Sequence, residues 1–155
     1  MIVLEHLPEL LVQVTMAGVG TLCFAVLFCV PKNQYLACAV DGAVGWAVYS
    51  VMMLVQPSTV MATLVAVIPL TLLARIFAVV RKAPVTVFLL CGIFPLVPGA
   101  GIYYTAYYFI RGDTELFGIK GTETLKIAMA LALGISLVLG LPLPRFGGKK
   151  SPDHA

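Results

Sequence analysis

Five apolar stretches, residues 10–30, 35–55, 59–80, 85–110 and 124–141, follow one another with little more than turns between them. Each is close to the ~20 residues that cross a hydrocarbon core about 30 Å thick as a helix. Hydrocarbon offers backbone N–H and C=O groups no partner, so segments of this kind fold as helices that satisfy their own hydrogen bonds. The expected fold is therefore an all-α integral membrane protein with about five transmembrane helices, or four if the first or last stretch lies on the interface. Three dividers are short and contain proline: Pro31-Lys32-Asn33-Gln34, Gln56-Pro57-Ser58 and Arg81-Lys82-Ala83-Pro84. The fourth, over residues 111–123, reads as a longer loop with charges of both signs. With 61% hydrophobic and 11% charged residues the chain leaves no room for a soluble domain, so residues 1–155 form a single membrane domain, ending in a short basic tail over 142–155.

Charge gives an orientation. Lys32, Arg81, Lys82, Arg145, Lys149 and Lys150 fall at one end of a five-span bundle, whereas Arg111, Lys120 and Lys126 share the other with several acids. Basic loops stay in the cytoplasm, which puts the N-terminus outside and the C-terminus inside. The net charge of +3 thus orients helices and does not mark a nucleic-acid partner. Cys23, Cys29, Cys38 and Cys91 lie in apolar stretches without metal-ligand spacing, so they read as reduced, buried hydrophobic side chains. His6 and His154 sit at opposite ends, and no nucleophile elbow, phosphate loop or zinc-ligand pair can be assembled, which argues against an enzyme or a bound cofactor. The start, MIVLEHLPEL, carries Glu5 and Glu9 but no lysine or arginine, and the apolar run behind it is too long for a signal-peptide core, so the first span is expected to be retained.

The fourth stretch contains the sequence CGIFPLVPGAGIYYTAYYF over residues 91–109. Pro95 and Pro98 free the carbonyls of Cys91 and Phe94 by removing donors and crowding the preceding turn. Free backbone groups at membrane depth are tolerated only where protein buries them or a water-filled cavity meets them, and discontinuous helices of this kind often form transporter sites. Counted from Pro84, residues 95–101 lie roughly 16 to 25 Å into the span, near or just past the midplane. A second half-helix is expected to begin around Pro98, with the amides of Gly99, Ala100 and Gly101 unpaired and its positive dipole end suited to a carboxylate. Glycine at 99 and 101 would let a ligand approach the backbone closely. The plain alternative is a packing kink between neighbouring helices.

Two charges lie inside apolar stretches. Asp41 is about 9 Å into the second span from its basic end, and Arg75 is about as deep in the third. They form an ion pair if they face each other, or Asp41 couples transport to protons, or Arg75 snorkels to the cytoplasmic interface. Tyr103 stacks over Tyr107 and Tyr104 over Tyr108 at helical spacing. The outer two suit the interfacial aromatic belt, and Tyr103 and Tyr104 could offer hydroxyls to a polar substrate. Pro69 and Thr71 mark a second potential kink. Small residues at Ala39/Ala43/Ala47, Gly42/Gly45 and Ala128/Ala132 allow close helix packing.

From Phe28-Cys29-Val30-Pro31 through Gly42-Ala43-Val44-Gly45-Trp46, then Ala83-Pro84-Val85-Thr86-Val87 and Ile93-Phe94-Pro95-Leu96-Val97-Pro98-Gly99, the chain resembles the small subunit of the threonine/serine exporter family. The resemblance covers residues 10–142, in matching order, and the proline–glycine motif is its most specific part. It implies a multi-pass protein of the bacterial inner membrane that exports small carboxyl-containing metabolites. These are threonine and serine in fused members, or dicarboxylates such as succinate in two-subunit members, with export drawing on the proton motive force. Fused members carry an additional N-terminal half that this sequence lacks, so the resemblance implies a larger homologous membrane subunit as partner, beside the substrate and the lipid bilayer. If that half has five spans and starts in the cytoplasm, the two would be inverted repeats. The alternative from another class is a non-transporting scaffold or assembly subunit whose break is only a hinge.

Overall fold

The computed structural model describes residues 7–142. Those residues form six helices: α1 Leu7–Leu27, α2 Tyr35–Val55, α3 Thr59–Arg81, α4 Val85–Ile93, α5 Gly99–Arg111 and α6 Thr114–Gly140. Two 3₁₀ turns, Lys32–Gln34 and Phe94–Leu96, precede α2 and follow α4. No strand occurs among the described residues. α1, α2 (with its 3₁₀ turn), α3 and α6 are each long and apolar enough to cross a membrane, and α4 and α5 are so only taken together, as a pair bent by 59° at the break. The all-α membrane architecture and the broken fourth span read from the sequence are both present.

Helix ends follow local chemistry. α3 stops where Lys82 adopts a left-handed conformation, φ 51°, two residues before Pro84. α5 stops at Gly112, φ 73°, and the amide of Asp113 closes the cap on the Tyr108 carbonyl at 3.1 Å. The Asp113 carboxylate then accepts from the Leu116 amide at 3.1 Å and starts α6 at once. The expected loop over 111–123 is therefore a two-residue turn, and α6 begins at Thr114. Its early charges do not interrupt it: Lys120 and Glu123 pair at 3.1 Å across one helical turn. α3 likewise runs through Pro69 unbroken, so the second kink is not a helix break.

α2 is central, packed by α1, α3 and α4, and α3 also packs against α4 and α6. Small residues set these approaches. Gly42 of α2 leaves room for Thr21 of α1, and Gly134 of α6 leaves room for Val67 of α3. One buried cluster gathers Ala25, Cys38, Ala74, Phe88 and Cys91, and a second gathers Ala66, Val67, Leu70 and Leu96.

The direction of α6 decides what the bent pair does. Gly134 lies opposite Val67 and Leu64, and Arg75 reaches the carbonyls of Val138 and Leu141, so α3 and α6 run parallel. The chain between them must return from the Arg81 end of the bundle to the end where α6 begins. A re-entrant loop would leave α6 antiparallel to α3, so the broken pair is a crossing. Its length agrees: α4 with its 3₁₀ turn advances about 20 Å, and α5, inclined by 59°, adds about 10 Å, together near the ~30 Å of a hydrocarbon core.

Candidate functional site at the helix break

The break spans the 3₁₀ turn Phe94–Leu96 and two further residues, Val97, which is extended (φ −64°, ψ 130°), and Pro98 (φ −76°, ψ 59°). Leu96 belongs to the cluster with Ala66, Val67 and Leu70, level with the middle of α3. Pro98, Gly99 and Ala100 line a cavity with Thr63, nearer the Thr59 end of that helix. The break thus begins mid-span and leads toward the end of the bundle where α5 and α6 meet.

The half-helix begins at Gly99 as its sequence indicates, but its first amide is not free. Gly99 N–H donates to the Val97 carbonyl at 2.7 Å, closing a tight turn around Pro98, and Ile102 N–H donates to the Pro98 carbonyl at 3.0 Å. The amides of Ala100 and Gly101 belong to the first turn, which has no preceding carbonyls of its own helix to accept from them. Gly99 is exposed, and a β-carbon there would meet nothing within 4 Å. Gly101 faces α6, where a β-carbon would collide with the Thr124 side chain.

The cavity at the break has a volume of about 180 Å³ and is bounded by Pro95, Pro98 and Ala100 on one side and by Trp46, Tyr49 and Thr63 on the other. That is below the ~300 Å³ of drug-sized pockets. Trp46 and Tyr49 stand one turn apart with ring centroids 5.1 Å apart, and Thr63 donates its hydroxyl to the Thr59 carbonyl at 2.8 Å. A larger cavity of about 710 Å³ lies between α5 and α6, lined mainly by apolar residues such as Ile102, Phe109, Phe117 and Leu125.

Trp46, Tyr49 and Thr63 were not singled out as site residues in the sequence. They come from two other helices, and no spacing along the chain joins them to Pro95. Tyr103 and Tyr104 do stack on Tyr107 and Tyr108, with centroids 6.3 and 6.4 Å apart. They are 64% and 47% exposed and line none of the cavities at the break. Tyr107 instead accepts from Arg111 at 2.9 Å near the end of α5.

Asp41 and Arg75 are not paired. The Arg75 guanidinium donates to the Val138 carbonyl and, at 2.7 Å, to the Leu141 carbonyl, capping α6. The carbonyls at the negative dipole end of a parallel neighbouring helix attract it there. Asp41 is 0% exposed, and neither carboxylate oxygen has a hydrogen-bond partner among the described residues. It packs against Gly92 of α4, two residues before the break, beside the buried Cys38 and Cys91. Cys23 and Cys29, expected inside, are exposed on the surface of the chain, and all four cysteines are free. His6, His154 and the basic tail fall outside the described residues.

A bundle of membrane-crossing helices around one discontinuous crossing, with a small cavity at the discontinuity, defines a multi-pass helical membrane protein. The chain belongs to the threonine/serine exporter family: the model of that family, described as "Threonine/Serine exporter, ThrE", matches residues 13–140. It is also 29% identical over 132 residues to a "probable threonine/serine exporter" of Mycobacterium tuberculosis, a match covering 84% of this chain and 25% of that protein. The chain thus spans about a quarter of the length of that relative. No solved structure matches it.

Proposed function

We propose that this chain is the small membrane subunit of a two-component exporter of small carboxyl-containing metabolites, threonine and serine or dicarboxylates such as succinate. The observation that carries the reading is the cavity of about 180 Å³ at the Pro95–Ala100 break, in a chain of the threonine/serine exporter family. The break supplies what a small carboxylate requires: backbone at membrane depth, first-turn amides at Ala100 and Gly101, and the positive end of the α5 dipole. Gly99 has no side chain to obstruct that approach. The partner that the family resemblance implies is a larger homologous membrane subunit, beside the substrate and the lipid bilayer.

The subunit resides in the bacterial inner membrane with its N-terminus outside. Arg81 donates to the Asn33 carbonyl at 3.0 Å, so the loops holding Lys32 and Lys82 share one end of the bundle, and that end is the cytoplasmic one by the basic-loop rule. Export draws on the proton motive force, and Asp41 is the carboxyl that takes up and releases the coupling proton. A buried carboxyl against the backbone of the broken crossing, faced by Cys38 and Cys91, supports that role.

The test is efflux of preloaded threonine and succinate from cells expressing this chain with its large subunit, compared with the Gly99→Leu variant. An exporter loses flux while the two subunits still co-purify. A scaffold subunit would lose assembly or show no change in flux.

A further inference from the structure

We propose that protons pass between Asp41 and the Lys32 end of the bundle through a hydrated seam between α2 and α4, with Gln34 at its mouth and Cys38 and Cys91 along it. The inference rests on the proposed proton coupling and orientation, and adds to them a path, its side of the membrane and a residue that controls it.

Among the described residues, three buried side-chain oxygens have no hydrogen-bond partner: the Gln34 amide oxygen and both carboxylate oxygens of Asp41. Gln34 is 5% exposed and Asp41 0%. Gln34, Cys38 and Asp41 follow one another at four- and three-residue spacing along α2 and the turn that leads into it. They therefore share one face and span about 10 Å. A buried acceptor without a donor costs free energy, and where protein supplies no donor an ordered water does. Orphaned oxygens at both ends of one stripe point to a file of water between them.

α4 supplies the opposite wall. Cys38 lies 4.0 Å from the Val87 carbonyl oxygen, and Asp41, further along α2, fills the space beside Gly92, so the two helices run parallel. Cys91 packs in the same buried cluster as Cys38. A thiol is a weak donor and a weak acceptor, so the Cys38 contact yields to water at little cost. At the mouth, Arg81 donates to the Asn33 carbonyl, which places Gln34 at the end that carries Lys32 and Lys82.

The titratable groups that face the carboxyl are the two thiols, Cys38 of its own helix and Cys91 of α4. α1 presents Thr21 to the neighbouring Gly42, and Arg75 of α3 is turned to the α6 carbonyls. An unpaired buried carboxylate is costly unless it takes a proton, so a coupling cycle needs an exit for that proton. The O–H bond of the carboxyl breaks, one to the nearest water forms, and the proton moves along the file to the cytoplasmic end. The Gln34 oxygen accepts from the last water and holds it at the mouth.

Two measurements on the complex of both subunits test this. In everted membrane vesicles, where the Lys32 end faces the reagent, a small charged methanethiosulfonate is expected to modify Cys38 severalfold faster than Ala66→Cys, an equally buried position on α3, each as the single cysteine of this chain. Right-side-out vesicles should leave Cys38 unmodified. Gln34→Leu should slow that modification and lower protonophore-sensitive threonine efflux severalfold. Its melting temperature should be unchanged or higher, because an apolar side chain of similar shape removes an orphaned acceptor. Gln34→Glu, which keeps an oxygen at the mouth, should restore both rates and guards against a packing fault in the leucine variant. Wild-type coupling in Gln34→Leu, or Cys38 as inert as Ala66→Cys from the Lys32 side, would overturn the seam. Modification of Cys38 only in right-side-out vesicles would overturn its side of the membrane. The coupling reading fails separately: efflux that ignores the protonophore while Cys38 still reacts would refute the proton role and leave a seam that carries water alone.

Discussion

The Asp41 carboxylate fills the space that a side chain at position 92 would need, so α2 and α4 meet through a glycine and a buried acid. Position 92 is two residues before the 3₁₀ turn that opens the break.

Gly92→Ala is expected to destabilise the protein by about 1 to 3 kcal/mol, the usual cost of overpacking a closed contact. Asp41→Asn keeps shape and packing, so its thermal stability in detergent should stay near wild type. Its efflux should lose sensitivity to a protonophore if Asp41 carries the coupling proton. Efflux from the asparagine variant that still collapses with the protonophore would remove Asp41 from that role.

Arg75 acts as a cap and not as a counter-ion. Arg75→Ala should lower the melting temperature, since hydrogen bonds to a charged group contribute roughly 1.5 to 3 kcal/mol. The double exchange of Asp41→Arg with Arg75→Asp should be worse than either single change, because it places a guanidinium against Gly92 and a carboxylate against the α6 carbonyls. Recovery of stability in the double variant would restore the ion pair.

Two glycines two residues apart should behave oppositely. Gly99→Leu extends into open space and leaves folding unchanged, while Gly101→Leu drives a side chain into Thr124 and separates α5 from α6. Yield and melting temperature of the two purified variants check this. Equal stability of both would contradict the packing of α5 on α6.

The parallel alignment of α3 and α6 requires five crossings. Lys82→Cys and Lys120→Cys should label from opposite sides of the membrane, and labelling of both from one side would refute the crossing of the broken pair.

How far the sequence was legible follows from what each signal encodes. Proline and glycine act on their own backbone, so the break near Pro95 and the start of α5 after Pro98 could be read locally. Distance from a helix end gives depth but not the direction in which a side chain points. Asp41 and Arg75 therefore looked like partners at equal depth, although one faces Gly92 and the other α6. Mixed charge over 111–123 reads as a loop, yet the same residues cap and pair along a helix. Trp46, Tyr49 and Thr63 become one wall only once α2 and α3 pack beside the break.

Release of preloaded labelled threonine is the most direct test, measured from cells carrying this chain with its large subunit, this chain alone, and the pair with Gly99→Leu. The account expects release only from the intact pair, with the variant subunit still assembled. Release from the Gly99→Leu pair at the wild-type rate would contradict the assignment of the break as the substrate path.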